Sequence, residues 1–174
     1  MFAILQLSIL NIFGRMNSVE KFLEMLKNAS YSIVFTGAGM STESGLPDFR
    51  SKDRGLWEKF NPDELANVHA LLHNTEEFTK FYQYRLSEVN KYKPHEGHEI
   101  LADWESRGII KGIITQNVDA FHTDAGSKNV MELHGSFRTF HCHKCQKEFE
   151  RTEYLSGRST CDCGGTIRPG RSEE

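Results

Sequence analysis

The sequence predicts an α/β fold: a parallel sheet flanked by helices, followed by a small zinc-binding module of four cysteines. Three observations predict it. Short β-branched runs end in polar, glycine-bearing turns near residues 36, 115 and 134, segments of helical periodicity separate the first two, and all four cysteines lie between Cys142 and Cys163. Strand, helices, strand, short loop, strand is the rhythm of a parallel sheet with its chemistry at the strand C-termini.

The 174 residues carry a formal charge of −3, which excludes a strongly basic nucleic-acid binder. With 38% hydrophobic and 26% charged residues, the composition is that of a globular chain. Charge is uneven: residues 1–137 sum to −4 and residues 138–172 to +3, which marks the cysteine segment as a separate module. A tight cysteine cluster, with none in the first 141 residues, favours a metal over disulfides and a reducing, cytoplasmic setting. The expected organisation is an extension over 1–16, a sheet domain over 17–137, the cysteine module over 138–169 and a tail over 170–174.

The opening MFAILQLSILNIFG is interrupted by Gln6, Ser8 and Asn11 and is shorter than the ~20 residues of a spanning helix, so no membrane association is expected. It also lacks the basic start and small-residue cleavage site of a signal peptide, and reads as a weakly ordered extension. From Ser18, a candidate N-cap, Val19, Phe22, Leu23 and Leu26 recur at helical spacing. Residues 31–35 (YSIVF) form the first strand. Asn61-Pro62-Asp63-Glu64 offers a cap, a first-turn proline and an acid at N3, which together signal a helix start. A second helix runs from Thr75 to about Val89 on a face of Phe78, Phe81, Tyr82 and Leu86, and a third from beyond Pro94 to Gly108. Residues 108–115 and 129–133 are the remaining strands.

The turn after the first strand is Thr36-Gly37-Ala38-Gly39-Met40-Ser41. Two glycines spaced by one let a backbone turn tightly and approach a diphosphate. A hydride-transfer fingerprint would need a third glycine at position 42, which is Thr42. The loop continues through Gly45, Pro47, Asp48, Phe49 and Arg50, a mixture that suits closure over a nucleotide and equally a solvated turn with a surface ion pair. Gln116, Asn117, Val118 and Asp119, with His122, follow the second strand, where they could read ribose hydroxyls or a carboxamide, or simply cap a turn. His134, at the mouth of the third strand before Gly135, is a candidate general base. Cys142-x2-Cys145-x15-Cys161-x-Cys163 supplies four thiolates for a closed tetrahedral Zn²⁺ site, with a redox dithiol as the alternative and His141 and His143 as flanking donors.

Taken in order, GAGMSTESGLPDFRS, TQNVD, ELHG and the four cysteines resemble the sirtuins, NAD-dependent protein lysine deacylases, over about residues 18–168. The resemblance implies a Rossmann-like NAD domain, here only partial, with a structural zinc module. It implies that Gly37, Ala38, Gly39 and Thr42 line the NAD diphosphate turn, and that Phe49 and Arg50 belong to a cofactor loop. Gln116 and Asn117 would contact ribose, Val118 and Asp119 would bound the nicotinamide pocket, and His134 would be the base. In the implied reaction the acyl oxygen of a modified lysine in a protein or peptide attacks C1′ of the nicotinamide ribose. Nicotinamide leaves, His134 activates a ribose hydroxyl, and lysine and O-acyl-ADP-ribose are released.

Tyr82 and Arg85, one helical turn apart, resemble a pair that reads acidic acyl groups in one sirtuin branch, and equally fit an ordinary helix face. The family pattern continues beyond Arg168-Pro169 into further strands. The expectation is therefore a truncated member, competent at its nicotinamide site and not at turnover. A non-catalytic zinc module that binds other proteins is the alternative class. Four thiolates and one Zn²⁺ reduce its +3 to about +1, which is weak for nucleic-acid binding.

Overall fold

The computed structural model describes residues 3–6, 16–46 and 62–170. Strands β1 (Ala3–Gln6), β2 (Ser32–Thr36), β3 (Ile113–Thr115) and β4 (Val130–Glu132) form a parallel sheet in that order. The register sets Thr36 beside Thr115 and Thr115 beside Glu132, so the last residues of three strands form one row. Three of the four sequence motifs, the glycine turn, TQNVD and ELHG, begin at members of that row.

The sheet contains one strand more than the sequence predicts. Residues 1–16 were expected as an extension, yet Ala3–Gln6 pairs with Ser32–Phe35. An unpaired β2 would expose a row of backbone donors and acceptors on that side, and the short run Ala3-Ile4-Leu5 meets them. Helix α1 (Met16–Asn28) then leads into β2, starting two residues before the predicted cap at Ser18.

Between β2 and β3 run the one-turn α2 (Gly39–Thr42) and α3 (Pro62–Leu65), then α4 (Val68–His73), α5 (Thr75–Val89) and α6 (Glu96–Ser106). The helix predicted from Pro62 stops after one turn. Asn67 starts the next, its Oδ1 accepting from the Ala70 N–H at 2.8 Å, while Asn61 lies outside the described residues. Helix α5 has its predicted bounds, and Phe78, Phe81, Tyr82 and Leu86 are all buried.

The strand predicted over 108–115 is shortened at its start. Gly108 adopts φ 73°, Gly108 N–H bonds the Glu105 carbonyl and Ile109 N–H bonds the Trp104 carbonyl. That pair of bonds, with a left-handed glycine, ends α6; Lys111 N–H and the Gly112 carbonyl already bond β2, and the strand itself is Ile113–Thr115. Leu101 and Ile110 pack on Val34 and Ile113, so α6 covers one sheet face and brings its first turn near the glycine turn.

After α7 (Phe121–Asp124) and β4 come β5 (Ser136–Cys142), β6 (Glu148–Phe149), α8 (Arg151–Leu155) and β7 (Ile167–Gly170). Strand β5 is central to a second, antiparallel sheet, between β6 and β7. Its core is continuous with that of α4 and α5: one buried cluster runs from Leu71, Phe78 and Phe81 to Cys142, Phe149 and Ile167. Phe140 stacks on Tyr154 at 4.7 Å, and Phe137 meets Tyr82 edge-on at 6.4 Å. No helix among the described residues is long and apolar enough to cross a membrane.

Because Phe140 sits inside this shared core, Phe140→Ala is expected to cost about 3–5 kcal/mol. Thermal unfolding followed by circular dichroism should show a single, lower transition. Separate transitions for α5 and the cysteine sheet would contradict a continuous core.

Candidate functional site

The row of strand ends is tied together by side chains. The Thr36 hydroxyl donates to Thr115 Oγ1 at 2.8 Å and lies 2.9 Å from His122 Nε2, and Thr115 Oγ1 accepts from Asn117 N–H at 3.0 Å. Directly above, the Asn117 amide donates to the Gly37 carbonyl (3.0 Å) and to Ser41 Oγ (3.1 Å). Ser41 in turn donates to Asp119 Oδ2 at 2.7 Å. Asp119 Oδ1 accepts from Phe121 N–H at 3.0 Å, across Ala120, which is held at φ 71°. A non-glycine residue in that region is strained, and here the bonds on either side hold it. Burial pushes the Asp119 carboxyl above the usual range, against the opposing pull of its bonds from Ser41 and Phe121.

The glycine turn itself is open. A Cβ on Gly39 would meet nothing within 4 Å, and one on Gly37 would meet only Gln116 Oε1 at 4.0 Å. Neither packing nor a positive φ requires glycine at these positions, which leaves close approach of a ligand as the physical use for them. Ala38 precedes α2 in helical conformation, and Thr42 bonds back to the Gly39 carbonyl at 2.8 Å. Gln116 is exposed at the rim, and Val118 is half-buried. Phe49 and Arg50 lie outside the described residues.

The turn bearing His134 is pinned to the same loop. Leu133 N–H bonds the Thr115 carbonyl and Phe137 N–H bonds the Val118 carbonyl, both at 2.9 Å. Gly135, at φ 75°, closes the turn onto Glu132, whose carboxylate accepts from Ser136 Oγ at 2.9 Å. His134 borders a pocket with Tyr82, Arg85, Val118 and Phe137. Arg85 is only 9% exposed, and its guanidinium lies 5.3 Å from the Phe137 ring centre and 5.5 Å from that of Phe81.

Sequence reasoning missed His95 and His98. The signal available was two histidines three residues apart at a helix start. In the structure, the rings of His98 and His122 lie 4.8 Å apart at a tilt of 58° and are essentially buried. Burial, then the neighbouring His122 and His95, pushes His98 down to about 3, and burial, then His95, pushes His122 down to about 4. Both imidazoles are therefore neutral in the folded chain.

The four cysteine sulfurs lie within 4.8 Å of one another, with Cys142 3.5 Å from Cys163 and Cys145 3.6 Å from Cys161. Tetrahedral Zn²⁺ with bonds of about 2.3 Å sets thiolates about 3.8 Å apart, whereas a disulfide needs about 2.05 Å. All four are free cysteines, and they form a closed structural zinc site. Gly164 (φ 76°) and Gln146 (φ 59°) make the tight turns beside the ligands. His143 Nδ1 accepts from Thr166 N–H at 2.9 Å, which ties that nitrogen to the backbone rather than to a metal.

A parallel sheet with an open glycine turn over its strand ends, beside a tetrathiolate zinc module, defines a nucleotide-site α/β protein of a particular kind. A sequence model of the Sir2 family matches residues 37–170. The NAD-dependent protein deacetylase 1 of Geobacillus kaustophilus is 56% identical over 83% of this chain and 60% of its own length. A crystal structure of a Sir2 homologue–NAD complex superposes with a TM-score of 0.78 at 41% identity, over 88% of this chain and 61% of that one. A Sir2 complex with a deacetylated p53 peptide and 3′-O-acetyl ADP-ribose gives 0.78 at 33% identity, over 89% and 65%. The chain belongs to the Sir2 family, the sirtuins. It spans about 60% of the length of the curated relatives it matches.

The buried histidines predict a sign for acid sensitivity. Their ordinary value is about 6.5 in the unfolded chain. Between there and about 4 the unfolded state takes up protons that the folded state refuses, so stability falls as pH drops below about 6.5. The raised carboxyls of Asp119 and Glu132 act in the opposite direction. Comparison with His98→Gln cancels that contribution: the fall in melting midpoint from pH 7 to pH 5 should be shallower in the variant. Identical slopes would contradict the buried neutral pair.

Proposed function

We propose that this chain carries the nicotinamide and acyl-lysine side of an NAD-dependent protein lysine deacetylase site. One observation carries the reading: Asn117, Ser41 and Asp119 tie the glycine turn to the second strand-end loop, and the His134 turn is bonded to that same loop. The activity in the relatives' names and the NAD, acetyl ADP-ribose and peptide in the neighbouring structures support it.

NAD, when bound, supplies an electrophilic C1′ and a nicotinamide leaving group. Gly37, Ala38, Gly39 and Thr42 offer backbone to the diphosphate, with Phe49 and Arg50 on the loop that follows. Gln116 and Asn117 face ribose, and Val118 and Asp119 bound the nicotinamide. His134 accepts the ribose hydroxyl proton at an imidazole nitrogen. The zinc site holds the antiparallel sheet and takes no part in the chemistry.

A second reading concerns the acyl group. Tyr82 and Arg85 border the same pocket as His134, so that pocket has a cationic residue in its lining, which favours acidic acyl chains such as succinyl.

Calorimetric titration of NAD into the chain should show binding, weakened at least tenfold by Asn117→Ala and changed less than twofold by His134→Ala. Formation of O-acyl-ADP-ribose from NAD and acetyl-lysine or succinyl-lysine peptide should vanish in His134→Ala. Equal heats for wild type and Asn117→Ala, or O-acyl-ADP-ribose formation that survives loss of His134, would contradict the assignment.

A further inference from the structure

The imidazole of His95 makes two bonds that fix its tautomer. Its Nδ1 lies 2.9 Å from the Gly97 N–H, which can only donate, and its Nε2 lies 2.7 Å from the Met40 carbonyl, which can only accept. Both form together only when Nε2 carries the proton and Nδ1 is bare. One ring thus caps α6 and grips the second residue of α2.

The Met40 carbonyl is available because α2 stops at once. Ser44 N–H bonds the Ser41 carbonyl and Gly45 N–H bonds the Thr42 carbonyl, so the chain leaves the helix and the imidazole takes the Met40 oxygen. The surroundings are shaped for this contact. A Cβ on Gly97 would come within 2.5 Å of His95 Cε1 and 3.3 Å of Met40 Cε, so only glycine lets α6 approach both side chains. The ring also packs edge-on against His98 at 4.4 Å, and His98 meets His122 at a tilt, with 4.8 Å between ring centres.

We infer that His95 is a positioning residue for the cofactor turn: by holding the Met40 carbonyl it fixes the pitch of residues 37–42 before a ligand arrives. The inference rests on the NAD reading for its ligand, and on geometry alone for the clamp. A turn ordered in advance loses less freedom on binding, so losing the clamp weakens affinity without removing a ligand contact.

The variant His95→Asn separates the two roles, since asparagine caps a helix well but falls short of Met40. In the full chain without ligand, hydrogen exchange at Met40, Ser41, Ser44 and Gly45 should rise at least tenfold in this variant, with exchange in α6 unchanged. NAD affinity by calorimetry should fall at least fivefold. Unchanged exchange overturns the clamp, and faster exchange with wild-type NAD affinity overturns its role at the cofactor turn. If wild-type chain binds no NAD, the NAD reading fails while the exchange comparison still decides the clamp. A further measurement needs no variant: ¹⁵N spectra of wild-type His95 at pH 7.5 should show the Nε2–H tautomer, and the other tautomer or an imidazolium overturns the inference.

Discussion

The Asn117 carboxamide is the interaction on which the site depends. Its two N–H bonds reach the carbonyl that opens the glycine turn and the hydroxyl inside α2, nearly 80 residues earlier in the chain. Ser41 passes the connection to Asp119, which fixes the strained Ala120 and the start of α7. Without the amide, the Gly37 carbonyl would keep only its bond from Met40 N–H, and the Ser41–Asp119 pair would lose its tie to the Asn117 side chain. The parallel sheet makes the bridge possible by aligning Thr36, Thr115 and Glu132 in register.

A consequence is that the His134 turn and the glycine turn cannot move independently. The His134 turn is sewn to the Asn117 loop through Leu133 and Phe137, and the glycine turn is held from its other side by His95. These constraints come from backbone groups and short side chains with few rotamers, which suits a site needing fixed geometry. The zinc module adds stiffness from outside, because Phe137 and Phe140 of β5 share one core with α5. A closed tetrathiolate site far from an open coordination position acts through the fold.

Much of this was legible in the sequence because the strong signals are local. β-branched runs stopping at Thr36-Gly37 and at Thr115-Gln116 marked the strand ends, the face of Phe78, Phe81, Tyr82 and Leu86 marked α5, and the cysteine spacing marked the zinc site. What stayed hidden depends on distant pairing. Ala3–Gln6 becomes a strand only because β2 offers an edge, and residues 108–110 leave the predicted strand because a helix-ending glycine claims them. His95 and His98 looked like ordinary helix-start residues, since nothing local announces that Met40 and His122 pack against them.

The account stands or falls on whether the Asn117 amide couples the two strand-end loops. A double-mutant cycle with Ser41→Ala and Asn117→Ala, each measured by urea unfolding alone and together, tests this directly. The bonded network predicts a coupling of about 1 kcal/mol between the two sites. Additive effects, with no coupling beyond about 0.3 kcal/mol, would contradict it.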